Sequence, residues 1–216
     1  MGGKSWAWAL IAGSAIMFIL MVLHPSQHAP MHVGGSGGHE IAVSLSDIVH
    51  FGAITIIVVI AFGTVGLTAR LGFDRPLALA GLVFFFFAAV ATVLSASMSG
   101  LVAPKVFAVH EKGVWGKETL SAVASLEYWI HQAFAKLHAV GESLAIVLWS
   151  AAWPSSHWSH LPLRAFGVLA GLGIILAMFA GQLAMDLHGV VVIAGLQGAW
   201  LIGAALLGMN LERQTP

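Results

Sequence analysis

Residues 77–98 read LALAGLVFFFFAAVATVLSASM, without one charged side chain and with phenylalanine at every position from Phe84 to Phe87. As a helix rising 1.5 Å per residue, such a run covers about 30 Å, the thickness of a bilayer's hydrocarbon core. Other apolar runs of similar length lie at about 6–23, 48–69, 128–153, 165–185 and 190–208. The pattern predicts an all-α integral membrane protein, a single domain of six transmembrane helices. Composition agrees: the 216 residues are 59% hydrophobic and 8% charged, where soluble domains carry roughly a quarter charged residues.

The same arithmetic excludes several functions. Nine basic and nine acidic residues leave no net charge, so no basic field exists to hold a nucleic acid. The absence of cysteine removes disulfides, thiolate metal sites, iron–sulfur clusters and covalent haem attachment. HExxH, GxSxG and Gly-rich phosphate-binding patterns are also missing. Any bound metal therefore has to be held by His, carboxylate or Met, and eleven histidines are present.

Basic residues near the span ends set the expected orientation. With the N-terminus inside, Lys4, Arg70, Arg75, Arg164 and Arg213 are cytoplasmic, while Lys105, Lys112 and Lys117 lie in an outer loop, 99–126. The segment from His24 to His50, including the outer loop 24–47, has no Lys or Arg. This favours N-in and C-in, as for a bacterial plasma-membrane protein. The first span is too long for a signal-peptide core and is read as an anchor. Gly167-x3-Gly171 in the fifth span and Gly195-x3-Ala199-x3-Gly203 in the sixth predict that these two helices pack together. The third, apolar on every face, is expected at the lipid-exposed periphery.

The fourth span carries the chemistry. Glu127, His131, His138 and Glu142 fall within a stripe of about 60° on one helical face. Gln132 and Lys136 occupy the opposite side, so this helix is expected to be central. Ionisable residues deep in a span are costly and usually functional. Other polar groups gather at the outer ends of their spans: Asp47 and His50, Gln182 and Asp186, and His188. On the first span Met17, Met21, His24 and His28 keep helical spacing, with the methionines read as packing, and His32, Met31 and His39 follow in a turn-rich segment. His157 and His160 are read as interfacial, without chemistry.

These residues point to a transition-metal or haem site in the outer half of the bundle. His50, His131, His138 and His188 are the proposed cofactor ligands. For a metal the set widens to His24, His28, His32, Asp47, Glu127, Glu142 and Asp186. Imidazole and thioether together suit copper, uncharged imidazole suits Cu, Zn, Fe or Ni, and one haem b using His50 with His131 or His138, or a ligand from His24 or His188, is an alternative. The corresponding activity is redox chemistry or metal handling. A proton-coupled transporter using Glu142, Lys136 and His138 is a second reading. A third is a non-catalytic subunit of a membrane redox complex, or a homo-oligomer. Transport needs polar steps through the whole membrane, and the inner halves of the spans offer almost none.

Overall fold

The computed structural model describes residues 3–24, 38–154 and 158–211, with side chains described from 45 in the second helix and to 209 in the last. The elements are α1 (Ser5–Val22), α2 (Gly38–Leu71), α3 (Pro76–Ser97), a π-helical turn (Met98–Val102), α4 (Ala103–Glu111), α5 (Lys117–Ala152), a short 3₁₀ turn (Trp158–His160), α6 (Leu161–Phe179) and α7 (Leu187–Leu211). Among the described residues, five segments are long and apolar enough to cross a membrane: Ser5–Val22, Leu45–Leu71, Pro76–Glu111, Trp158–Phe179 and Leu187–Met209. The polar first half of α5 keeps it out of that set, although its 36 residues span about 54 Å.

The helices close into a ring. α1 packs on α2 and α7, α2 on α3, α3 on α5, α5 on α6, and α6 on α7. The expected hub, α5, is thus one stave with α3 and α6 as its main neighbours. Nor is α3 peripheral. Its phenylalanines Phe84, Phe86 and Phe87 are exposed, but Ala78, Gly81, Leu82, Phe85, Ala88 and Ala89 are buried. That small-residue stripe recurs at intervals of three and four, which lets α5 approach closely along its length.

The loop expected over 99–126 is helical in large part. α3 runs through the π turn into α4, a continuous helical path of 36 residues, and α5 begins at Lys117. Both exceed the length needed to cross a hydrocarbon core. The fifth span was expected to reach 185, yet α6 ends at Phe179. Gly181 takes φ +70°, and Gln182 N–H and Gly181 N–H donate to the Ala177 and Met178 carbonyls at 2.8 and 3.1 Å. This is a Schellman stop, and it places Gln182 and Asp186 in a connecting turn. The expected pairing of fifth and sixth spans through small residues is met in part: Gly167 lies against Trp200 of α7 and Gly203 against Leu163 of α6, whereas Gly171 lies against Val147 and Ser143 of α5 and Gly195 against Phe18 of α1.

One end of the ring is packed solid. Trp149 and Trp200, both 0% exposed, stack at 6.1 Å with an interplanar angle of 7°, and Trp153 meets Trp200 edge-on at 6.5 Å. Trp6, Leu10, Leu67, Phe85 and Ala204 complete this core. Trp6 seats in a notch on α2 at Gly66, where an added Cβ would collide with the indole. Arg75 Nη1 and Arg164 Nε donate to the Ala152 and Ser150 carbonyls at 3.1 Å each, satisfying the C-terminal turn of α5. His160 is buried here, edge-on to Trp153 at 6.1 Å.

Candidate functional site

The other end of the ring encloses a partly open cavity of about 250 Å³. Its wall is mainly apolar, with Ile57, Ile60, Ile193 and Leu201 among its residues. Into it come His24 from just beyond the C-terminus of α1, His50 from α2, and His131, His138 and Glu142 from α5.

Three of these imidazoles are gripped by one helix. Thr92, Ser95 and Ser99 lie on successive turns along α3 and its π extension, about 10 Å from first to last. Thr92 Oγ1 is 2.8 Å from His138 Nδ1, and its own hydroxyl hydrogen donates to the Ala88 carbonyl at 3.0 Å. Thr92 oxygen therefore accepts from His138 Nδ1–H. His131 Nδ1–H donates to the Ser95 carbonyl at 3.1 Å, with Ser95 Oγ at 3.0 Å. His50 Nδ1–H donates to the Ser46 carbonyl at 2.6 Å, and Ser99 Oγ–H donates to His50 Nε2 at 3.0 Å. In each ring the Nδ1 proton is fixed by an oxygen, so the lone pair resides on Nε2. Protein metal sites use the same orienting device.

His50 is 4% exposed, and its position depends on the π turn. At Gly100 any Cβ would overlap the His50 Cβ and Cγ. A π turn widens the helix by one residue per turn and commonly marks a functional position. Here it brings a bare backbone and the Ser99 hydroxyl against one imidazole. Opposite, His24 Nε2 is 3.2 Å from His50 Nε2, and the rings meet edge-on at 4.9 Å.

A second polar level lies deeper. Glu142 is 6% exposed, and His138 Nε2 is 3.6 Å from its Oε2. Gln197 donates from Nε2 to the Ala139 carbonyl and to Ser143 Oγ, both at 3.1 Å. Ser14, 3% exposed, also lines this level. Gln132, placed by spacing on the far side of its helix, is in fact buried in the cavity wall, with Nε2 donating to the Met185 carbonyl at 3.2 Å. The turn after α6 folds inward and supplies that acceptor.

Several expected site residues lie elsewhere. His188 is exposed in the first turn of α7 and is not in the cavity wall. Asp186 reaches the wall, but its Oδ1 accepts from Gly189 N–H at 2.8 Å, which makes it the N-cap of α7. Asp47 is half-buried one turn before His50, outside the wall. Glu127 is half-buried within the first half of α5, and it too is outside the wall. Lys136 is exposed and points away from the cavity. His28, His32 and His157 fall outside the described residues, and His39 is described only as backbone in the first turn of α2. Among the described residues no three His, Asp or Glu side chains are grouped to hold a metal ion. Comparison of the chain with protein-family models, with curated proteins and with solved structures finds no match to any of them.

Proposed function

We propose that this is a six-span protein of a bacterial-type plasma membrane, N-in and C-in, whose outer-half cavity binds a transition metal for metal handling or redox chemistry. The His24–His50 pair is the anchoring ligand set. α5 is the sixth span: its polar face turns to the cavity, so it need not be apolar all round to cross the bilayer. Exposed apolar side chains such as Phe86, Phe87, Val90 and Leu176 meet lipid.

The carrying observation is the approach of two imidazole Nε2 atoms to 3.2 Å inside one cavity, one of them with its Nδ1 proton already fixed. Two axial imidazoles on opposite sides of a haem iron would stand about 4 Å apart, given metal–nitrogen bonds of about 2.0 Å. A cavity of about 250 Å³ also falls below the roughly 300–1,000 Å³ typical of organic-ligand pockets. Both favour a bare ion over haem b. The transporter reading loses Lys136, and the stacked tryptophans close the ring below the cavity.

Two experiments test this. Purified wild type is expected to carry about one equivalent of transition metal, and His24→Ala with His50→Ala to carry none by elemental analysis. Asp186→Ala should keep the metal while losing about 1 kcal/mol of stability through its missing cap. Loss of metal from Asp186→Ala alone, or retention in the double variant, would move the site away from the histidine pair. For topology, single cysteines replacing Lys112 and Asp74, both exposed, should react with an impermeant thiol reagent from opposite sides. Reaction of both from one side would refute the six-span arrangement.

A further inference from the structure

We infer that the deep polar level of the cavity is a site for one monovalent cation, held by the Glu142 carboxylate with His138 Nε2, Gln197 Oε1 and Ser14 Oγ. This goes beyond the metal-binding reading and does not depend on it, since His24 and His50 belong to the other polar level.

The helices bring these groups to one depth. Glu142 is eleven residues, about 16 Å, beyond His131 on α5. Gln197 is ten residues, about 15 Å, into α7, and Ser14 is eight residues, about 12 Å, inside the end of α1. Contacts tie the level together across three helices. Gln197 bonds to Ala139 and Ser143, on either side of Glu142. Ser14 lies against Gly198, where an added Cβ would stand 3.6 Å from its own. All four side chains are in the cavity wall.

The level is rich in acceptors and short of donors. His138 Nδ1–H is spent on Thr92, which leaves a lone pair on Nε2. Both amide hydrogens of Gln197 are spent on Ala139 and Ser143, so its Oε1 can only accept. Ser14 is 3% exposed, and its Oγ has no hydrogen-bond partner among the described residues. The buried Glu142 carboxylate meets His138 Nε2 at 3.6 Å, too far for a hydrogen bond. Buried polar groups are nearly always paired, and a buried charge is costly unless it is. A cation satisfies all four groups at once.

Charge sets the valence. Among the described residues the wall contains no Lys or Arg. Its other acid, Asp186, sits in the turn before α7 and accepts from Gly189 N–H, while Asp47 and Glu127 lie outside the wall. The groups around Glu142 from α1, α3 and α7 are Ser14, Thr92 and Gln197, all uncharged. One carboxylate therefore balances one positive charge. A divalent ion would keep a charge uncompensated among Ile57, Ile60, Ile193 and Leu201, and the cost of burial rises steeply with charge. Alkali and ammonium ions share this chemistry of a single charge surrounded by acceptors. Because α1 and α5 face each other across the cavity and α5 meets α7 sparingly, the ion also ties together helices that share little packing.

The test uses the full chain in lipid nanodiscs, prepared in N-methylglucamine chloride. NaCl, KCl and NH₄Cl are three arms at constant ionic strength, with MgCl₂ as the divalent comparison. At least one monovalent ion should bind at one equivalent by calorimetry and raise the thermal unfolding midpoint saturably, and the arm that does so identifies it. Glu142→Gln keeps the shape and should fold, yet lose about 100-fold in affinity, as on truncating one partner of a buried charge pair, while its transition-metal content is unchanged. Ser14→Ala should lose about tenfold and leave the ion-free protein at least as stable, because it deletes an unpaired buried hydroxyl; a merely structural Ser14 would change stability and not affinity. Saturable binding in no monovalent arm would mean that His138 supplies the charge as imidazolium, and overturns the inference. So does unchanged affinity in Glu142→Gln, or tighter binding of Mg²⁺. If Glu142→Gln also releases the transition metal, the two levels are one site and the inference falls while the metal-binding reading stands. A wild type that binds the monovalent ion and carries no transition metal removes that reading and keeps this one.

Discussion

Trp200→Ala is expected to destabilise the bundle by about 3–5 kcal/mol, the range for emptying a fully buried aromatic site. The indole is 0% exposed, stacked on Trp149 and met edge-on by Trp153. Its remaining face is closed by Gly167, where an added Cβ would collide with Ser150 Oγ and the Trp200 ring. In a bilayer, lipid is as apolar as the protein interior, so the loss comes chiefly from forfeited packing against these neighbours. Trp158→Ala is the control, because that side chain is 86% exposed and its removal should change stability by no more than about 0.5 kcal/mol. Reversible unfolding in mixed micelles would compare the two. Equal losses would mean that the tryptophan stack does not hold the closed end of the ring together.

Gly100→Ala should lower metal affinity by about 10- to 100-fold, the effect usual for disturbing a group that orients a ligand. The added Cβ has nowhere to go except into His50, whose backbone is fixed in α2 and whose ring is held by Ser46 and Ser99. Either the imidazole swings off the His24 axis or the π turn reverts to regular helix and withdraws Ser99. Gly173→Ala is the matched control, since nothing lies within 4 Å of a Cβ there. Competition titration of both variants checks this. If Gly100→Ala binds as wild type does, the π turn has no part in presenting His50.

The sequence pattern placed α1, α3 and α7 to within a few residues, because apolar length is a local property, but it began α2 and α5 about ten residues late, where their first turns are polar. It missed α6 by six residues at its C-terminal end: the Gly181 stop falls inside a run whose apolarity continues to Met185. It found the polar stripe of α5, since four residues on one helix have their relative angles fixed by 100° steps alone. It overlooked α3 altogether as a partner in the site. Thr92, Ser95 and Ser99 look unremarkable in an apolar run, because a hydroxyl that bonds within or between helices is cheap to bury and leaves little trace in hydropathy.

By itself, then, the sequence determined the membrane-type all-α class, the absence of thiolate chemistry, and the polar face on the span expected over 128–153. Tertiary structure alone decided that His24 meets His50 across 26 residues of chain, that Lys136 turns outward, that Asp186 caps a helix, and that His188 stays at the surface. The physical reason is that helical periodicity orders side chains around their own axis and is silent about the neighbour each face will meet. That choice depends on which small-residue stripes allow close approach, on a glycine that ends one helix early, and on a single π turn that opens the backbone beside His50.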